Sequence, residues 1–137
     1  MGEVRATVKL TNAADMALVR RNLIRPGEVH SLEVNALIDT GAVSLVLPSF
    51  VVERLGLARP FKQVAEYADG RREEVDVTEP VLVEIMARHT NEEALVLGDE
   101  AIIGQTILEK MDLLVDCREH RLLPNPAHPD QPVTKIK

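Results

Sequence analysis

Asp39 closes an apolar run, Ala36-Leu37-Ile38, and is followed at once by Thr40, Gly41 and Ala42. A carboxylate at a strand end can act as general base toward water or as general acid toward a leaving group. One carboxylate rarely does both. Two in contact share a proton, because like charges a few Å apart cannot both ionise. The anion then takes a proton from water while the acid polarises a carbonyl, and the pair titrates as a unit. Asp-Thr-Gly occurs once in the chain, so such a pair needs a second copy of Asp39 across a two-fold axis. Thr40 is then available to hydrogen-bond across the axis, and Gly41 leaves backbone room for a substrate. The plain alternative is an Asp turn, in which the side chain accepts from nearby backbone and Gly supplies the bend.

A second short apolar run, Ala101-Ile102-Ile103, ends at Gly104 and is suited to packing around the first. Between the two lies Tyr67-Ala68-Asp69-Gly70-Arg71, flanked by extended segments. Asp-Gly there is a strong hairpin signal, and a long polar hairpin can fold over a site as a lid. Other constellations are poor. Cys117 and His120, three apart, point to opposite faces of a strand, and no second Cys completes a zinc set. His30, Asp39 and Ser44 are the residue types of a hydrolase triad, but no Gly-x-Ser-x-Gly elbow surrounds Ser44. No phosphate loop or dinucleotide fingerprint is present. No metal and no cofactor is expected.

The elements that must position these residues are mostly strands. Residues 4–10 alternate, with Val4, Ala6, Val8 and Leu10 on one face. Asn12 or Asp15 could cap a short helix, but a loop or second strand around Leu18–Ile24 is the favoured reading before the Pro26-Gly27 turn. Val29–Ile38 alternates again and delivers Asp39. Val43–Leu47 is a strand stopped by Pro48, and Pro48–Leu57 a short helix ended by Gly56. The hairpin spans Phe61–Thr78. Two more strands, 81–87 and 94–97, are joined by a turn at His89-Thr90-Asn91. After Gly104 come a short helix, Gln105–Lys110, and strands at Leu113–Val115 and Arg121–Leu123. Four prolines among residues 124–132 mark an irregular tail. Eight or nine short strands with two short helices predict an all-β barrel or sandwich.

Composition bounds the function. At 137 residues the chain fits one domain with a modest core. Phe50, Phe61 and Tyr67 are the only aromatics, so that core must be aliphatic. A net charge of −6 argues against nucleic acid and anionic membranes as partners. One cysteine permits no intrachain disulfide and fits a reducing cytoplasm. No signal pattern opens the sequence, and no apolar run approaches the length of a membrane helix.

The chain resembles the retropepsin-like aspartic proteases, especially their bacterial single-domain members. The residues that carry the likeness are Ala36-Leu37-Ile38-Asp39-Thr40-Gly41-Ala42, the hairpin Ala68-Asp69-Gly70-Arg71, and Ala101-Ile102-Ile103-Gly104-Gln105-Thr106-Ile107-Leu108, followed by Met111–Asp116. The resemblance implies a closed, all-β retropepsin-like barrel over residues 1–124, with residues 125–137 as the tail. It implies an aspartic endopeptidase acting on peptide or protein substrates as a homodimer, with Asp39 from each subunit as the catalytic pair. Thr40 would make the cross-dimer contact, and Ile102-Ile103-Gly104 would pack against the loop. Tyr67 to Arg71 would form a flap near substrate. Two positions depart from the retroviral pattern. Val43 stands where many members carry an acid, and Gln105 where they carry Arg, so an ion pair that braces those dimers has no counterpart. A retropepsin-fold module that binds peptide or assembles with little turnover is the second reading.

Overall fold

The computed structural model describes residues 2–137. β1 (Val4–Asn12) and β2 (Ser31–Ile38) pair antiparallel from Val4 opposite Ile38 to Thr11 opposite Ser31. The alternation that predicts β1 is what buries Val4, Val8 and Leu10 while Arg5 and Lys9 face out. The stretch between these strands departs from expectation. Ala13–Arg20 is a helix, α1, not a loop or strand. Asn12 Oδ1 accepts the Asp15 N–H at 3.1 Å, and the Ala-rich run Ala13–Leu18 has high helix propensity. None of the α1 residues is fully buried, so no apolar periodicity announces the helix.

β3 (Leu45–Leu47) runs to Pro48, and α2 (Ser49–Arg54) follows, burying Val51 and Val52. Gly56 adopts φ +61°, which lets Leu57 turn back and donate to the Val52 carbonyl at 3.1 Å. β4 (Phe61–Glu66) and β5 (Arg72–Val77) form the predicted hairpin. β6 (Val81–Ile85) and β7 (Arg88–Glu92) form a second one, whose turn is Met86-Ala87 rather than His89-Thr90-Asn91. Met86 and Ala87 both take positive φ, 50° and 63°, as a two-residue hairpin turn demands. Neither is a residue type that signals it, so the turn is hidden in the sequence. Left-handed backbone is strained for side chains with a Cβ. The double substitution Met86→Asn with Ala87→Gly is expected to raise stability by about 1 kcal/mol, read as a higher urea midpoint at unchanged m.

β8 (Ala94–Val96), β9 (Ile102–Ile103), α3 (Gln105–Met111), β10 (Leu113–Asp116) and β11 (Arg121–Pro124) complete the chain. Cys117 and His120 lie in the exposed turn between β10 and β11, not on a strand. Nine strands form one sheet in the order β4-β5-β8-β3-β9-β2-β1-β6-β7, and β10-β11 is a separate ribbon. The barrel closure expected from the sequence is not made: no ladder joins β4 to β7 among the described residues. The neighbour of β7 is α3, with Lys110 Nζ on Glu92 Oε2 at 2.8 Å and Arg88 on the Met111 carbonyl at 3.0 Å. At the other edge, β4 is exposed along nearly its whole length. The core is aliphatic, as composition requires. Val8, Leu10, Leu45, Leu47, Val83, Ile103 and Ile107 are among its sealed members.

The tail begins with order. Asp112, at φ +57°, ends α3, and its carboxylate accepts from Asn125 Nδ2 (2.9 Å), His128 Nδ1 (2.6 Å) and the Val133 N–H (3.1 Å). The Asn125 bond first, with Val133 and His128 adding to it against partial desolvation, pulls this carboxyl from near 3.8 down to about 2. A depressed carboxyl contributes stability above its ordinary value and loses it as pH falls through the folded one. The Val133 amide is therefore expected to stay protected from hydrogen exchange at pH 4 and to lose protection as pH approaches about 2. In Asp112→Asn that protection should already be weak at pH 4.

Candidate active site

β2 and β3, which flank the Asp39 loop, do not pair with each other. β9 lies between them, parallel to β2 (Leu37 opposite Ile102, Ile38 opposite Ile103) and antiparallel to β3 (Leu45 opposite Ile103, Val46 opposite Ile102). The loop from Asp39 to Ser44 must therefore cross the end of β9. The Asp39 N–H donates to the Ile103 carbonyl at 3.0 Å, and the Leu37 N–H to the Ala101 carbonyl at 2.9 Å. The first N–H groups of a helix have no partner within it. In α3 these donors serve the loop: Gln105 N–H reaches the Ala42 carbonyl at 2.8 Å and Thr106 N–H that of Val43 at 3.1 Å. Gly104 is buried where the strands meet. A Cβ there would lie 2.6 Å from the Ser44 oxygen, 2.6 Å from the Val43 carbonyl carbon and 2.7 Å from the Ser44 nitrogen. Glycine is needed for close approach, since its φ of −88° suits any residue.

Asp39 is half-buried, with Ala42 likewise and Thr40 and Gly41 exposed. Asp39 Oδ1 accepts the Gly41 N–H at 2.9 Å, and its carbonyl accepts Ala42 N–H at 3.1 Å. The Asp turn and the placed carboxylate are thus one arrangement: the turn fixes Oδ1 and leaves Oδ2 without a hydrogen-bond donor among the described residues. His30 does not approach it. That ring sits at the far end of β2, with Nδ1 2.8 Å from Asp15 Oδ2.

The hairpin tip is ordered by its own side chains. Gly70 takes φ +87°, and its N–H donates to the Tyr67 carbonyl at 2.9 Å, so the bend centres on Ala68-Asp69. Asp69 accepts from the Arg71 N–H (3.0 Å) and Nε (2.8 Å), and these bonds hold its carboxyl below the usual range. The Arg71 guanidinium lies 4.7 Å from the centre of the Tyr67 ring. Tyr67 Oη donates to Glu73 Oε1 at 2.5 Å, which raises the phenol pKa.

The profile of the aspartyl protease family matches residues 25–108, which include the Asp39 loop, the hairpin and Ile102-Ile103-Gly104. The chain belongs to the aspartyl protease family. No curated protein matches it. Among solved structures it is similar to EIAV protease complexed with the inhibitor HBY-793, at 23% identity and a TM-score of 0.55, over 79% of this chain and 86% of that one. The fold of this aspartyl protease family member is therefore retropepsin-like, mostly β with a few short helices.

Sequence reasoning missed one feature of this aspartyl protease fold. Register aligns Leu37, Ile102, Val46, Leu95, Val77 and Phe61 in one row across β2, β9, β3, β8, β5 and β4. The next row, Ile38, Ile103, Leu45 and Ala94, belongs to the core. The first row is on the opposite face of the sheet. Ile102 thus lies on the other face from Ile103, in a row that leads from the Asp39 strand to the base of the hairpin; Val46 and Val77 of that row are buried, Leu37, Ile102 and Leu95 half-buried and Phe61 exposed. Neighbours in this row, such as Leu37 and Ile102, are far apart in the chain, so only the pairing reveals it.

Proposed function

We propose that the chain is an aspartic endopeptidase in which Asp39 of two copies meet across a two-fold axis and activate water for peptide hydrolysis. One carboxylate, anionic, takes the proton of the attacking water. The other, protonated, donates to the carbonyl oxygen of the scissile peptide. The observation that carries this reading is the single Asp-Thr-Gly on a loop clamped from below by β9, Gly104 and the first turn of α3. Such fixing is what a proton-sharing pair needs. Thr40, exposed beside it, is free to bond across the axis. The substrate is an extended peptide: the apolar row offers a wall for its apolar side chains, and the Tyr67–Arg71 tip covers it as a flap. In this reading a second copy, not a ladder within one chain, encloses the cleft. The cytoplasm is the proposed setting, with neither nucleic acid nor membrane as partner. Purified protein tested against a diverse peptide pool at acidic and neutral pH should cleave, and cleavage unchanged in Asp39→Ala would overturn the proposal.

One observation favours the second reading, a peptide-binding or assembly module. Gln105 Nε2 lies 3.3 Å from Glu109 Oε1 within α3, and Val43 is 72% exposed, so neither side chain braces the loop. Binding of an extended peptide without cleavage, equally tight in Asp39→Asn, would select it.

A further inference from the structure

The two ends of α3 are held by different parts of the chain. Its first turn donates to the Ala42 and Val43 carbonyls, just beyond Asp39. Its last turn is gripped by Arg88, a residue only 4% exposed. Arg88 Nη1 donates to the carbonyls of Met111 (3.0 Å) and Asp112 (2.8 Å), and Nη2 to the carbonyl of His128 (2.7 Å). No carboxylate pairs with this guanidinium among the described residues. Carbonyls at a helix C-terminus carry the negative end of its dipole and are a suitable counterpart for a buried cation. The carboxylate of Asp112, at the same helix end, is turned to Asn125, His128 and the Val133 N–H instead, and that of Glu109 in the last turn to Gln105. The Asn125 N–H also donates to the Asp112 carbonyl at 3.0 Å. His128 is thereby held twice, by its ring and by its carbonyl.

Asp112 sits at φ +57°, where glycine would be less strained, and Arg88 is buried with no counter-ion. Both are accounted for if the function of this cluster is to fasten residues 125–133 to the end of α3. That helix is about 10 Å long and too short to bend, so a shift at its last turn is carried to its first.

We propose that residues 125–133 form a strap that sets the position of the Asp39 loop through α3, with Arg88 and Asp112 as remote positioning residues. The segment belongs to the working unit of the protein. The proposal builds on the reading of Asp39 as the catalytic acid. It places control of the loop on the side of α3 away from it, and of the fastening residues only Arg88 lies within the stretch matched by the family profile.

The test is Asp112→Gly in the full chain. Glycine suits the left-handed backbone, so α3 keeps its end, while the three bonds to the carboxylate are lost. We expect kcat on a cleaved peptide to fall about tenfold or more with KM changed less than about twofold. The Gln105 and Thr106 amides should exchange faster, while those of Val8 and Ile103 hold. His128→Ala should act in the same direction, and His128→Gln, whose amide can donate to Asp112, should recover part of the loss. Wild-type turnover and wild-type exchange at Gln105 and Thr106 in both Asp112→Gly and His128→Ala would overturn the strap. If the unmodified chain shows no Asp39-dependent cleavage, the protease reading fails, and exchange at Gln105 and Thr106 alone decides for or against the strap.

Discussion

If Asp39 acts as proposed, Asp39→Asn is expected to reduce peptide hydrolysis by about 10³-fold or more while leaving the fold and the proposed dimer intact. The substitution is nearly isosteric. An Asn Oδ1 can accept the Gly41 N–H as Asp39 Oδ1 does at 2.9 Å, so the turn and the loop bonds to α3 are retained. On the proposed mechanism, what is lost is the capacity to take a proton from water and to hand one to the substrate. The proposed dimer should be retained, because an amide pair can hydrogen-bond across the axis in place of the shared proton. Steady-state assays beside sedimentation at micromolar concentration separate these effects. Mixing equal amounts of wild type and Asp39→Asn sharpens the test. If both carboxylates are needed and subunits exchange, activity per wild-type chain halves, since about one quarter of dimers then hold two Asp39 carboxylates. Once subunit exchange is established by sedimentation of differently labelled chains, activity per wild-type chain that does not fall would show that one copy suffices, and would overturn the shared pair.

Gly104→Ala is expected to be the most damaging single methyl that can be added near the site. The new carbon would lie 2.6 Å from two backbone atoms of Val43 and Ser44, which cannot swing aside as a flexible side chain can. Overpacking of this kind costs about 1–3 kcal/mol, and relief requires the loop after Asp39 to lift from α3. A displacement of about 1 Å at a reacting group can cost about 10²-fold in rate. Activity should therefore fall further than stability does. Thermal unfolding and kcat measured on the same preparation check this. Gly41→Ala offers the contrast: its Cβ would meet only Asp39 Oδ1, at 3.1 Å, so stability should change less.

How far the sequence reveals such features depends on how locally they are encoded. β1, β2 and the β4-β5 hairpin follow from alternation and Asp-Gly chemistry within a few residues. α2 and α3 follow from Pro48, Gly56 and Gly104. α1 escapes because it buries no residue fully, so its cap at Asn12 and its Ala-rich run are the local signs, without an apolar stripe to join them. The β6-β7 turn escapes because Met86 and Ala87 adopt a conformation that their types disfavour, fixed by the pairing of the strands around them. The tail escapes in part because its prolines suppress regular structure without preventing anchorage. Asn125, His128 and Val133 reach Asp112 by single bonds that have no period.

That an acid ends an apolar strand beside Thr and Gly, that this happens once per chain, and that the core is aliphatic can all be read from the residues alone. Those are matters of residue type and short spacing. Long-range pairing, by contrast, puts β9 between β2 and β3, so that the Asp39 loop rests on Gly104 and the first turn of α3. The same holds for the apolar row beside the loop, the open order of the sheet and the Arg88–Asp112 fastening of residues 125–133. Each depends on strand register or on a contact between residues far apart in the chain, and register is set by the sum of many weak pairings rather than by any one residue.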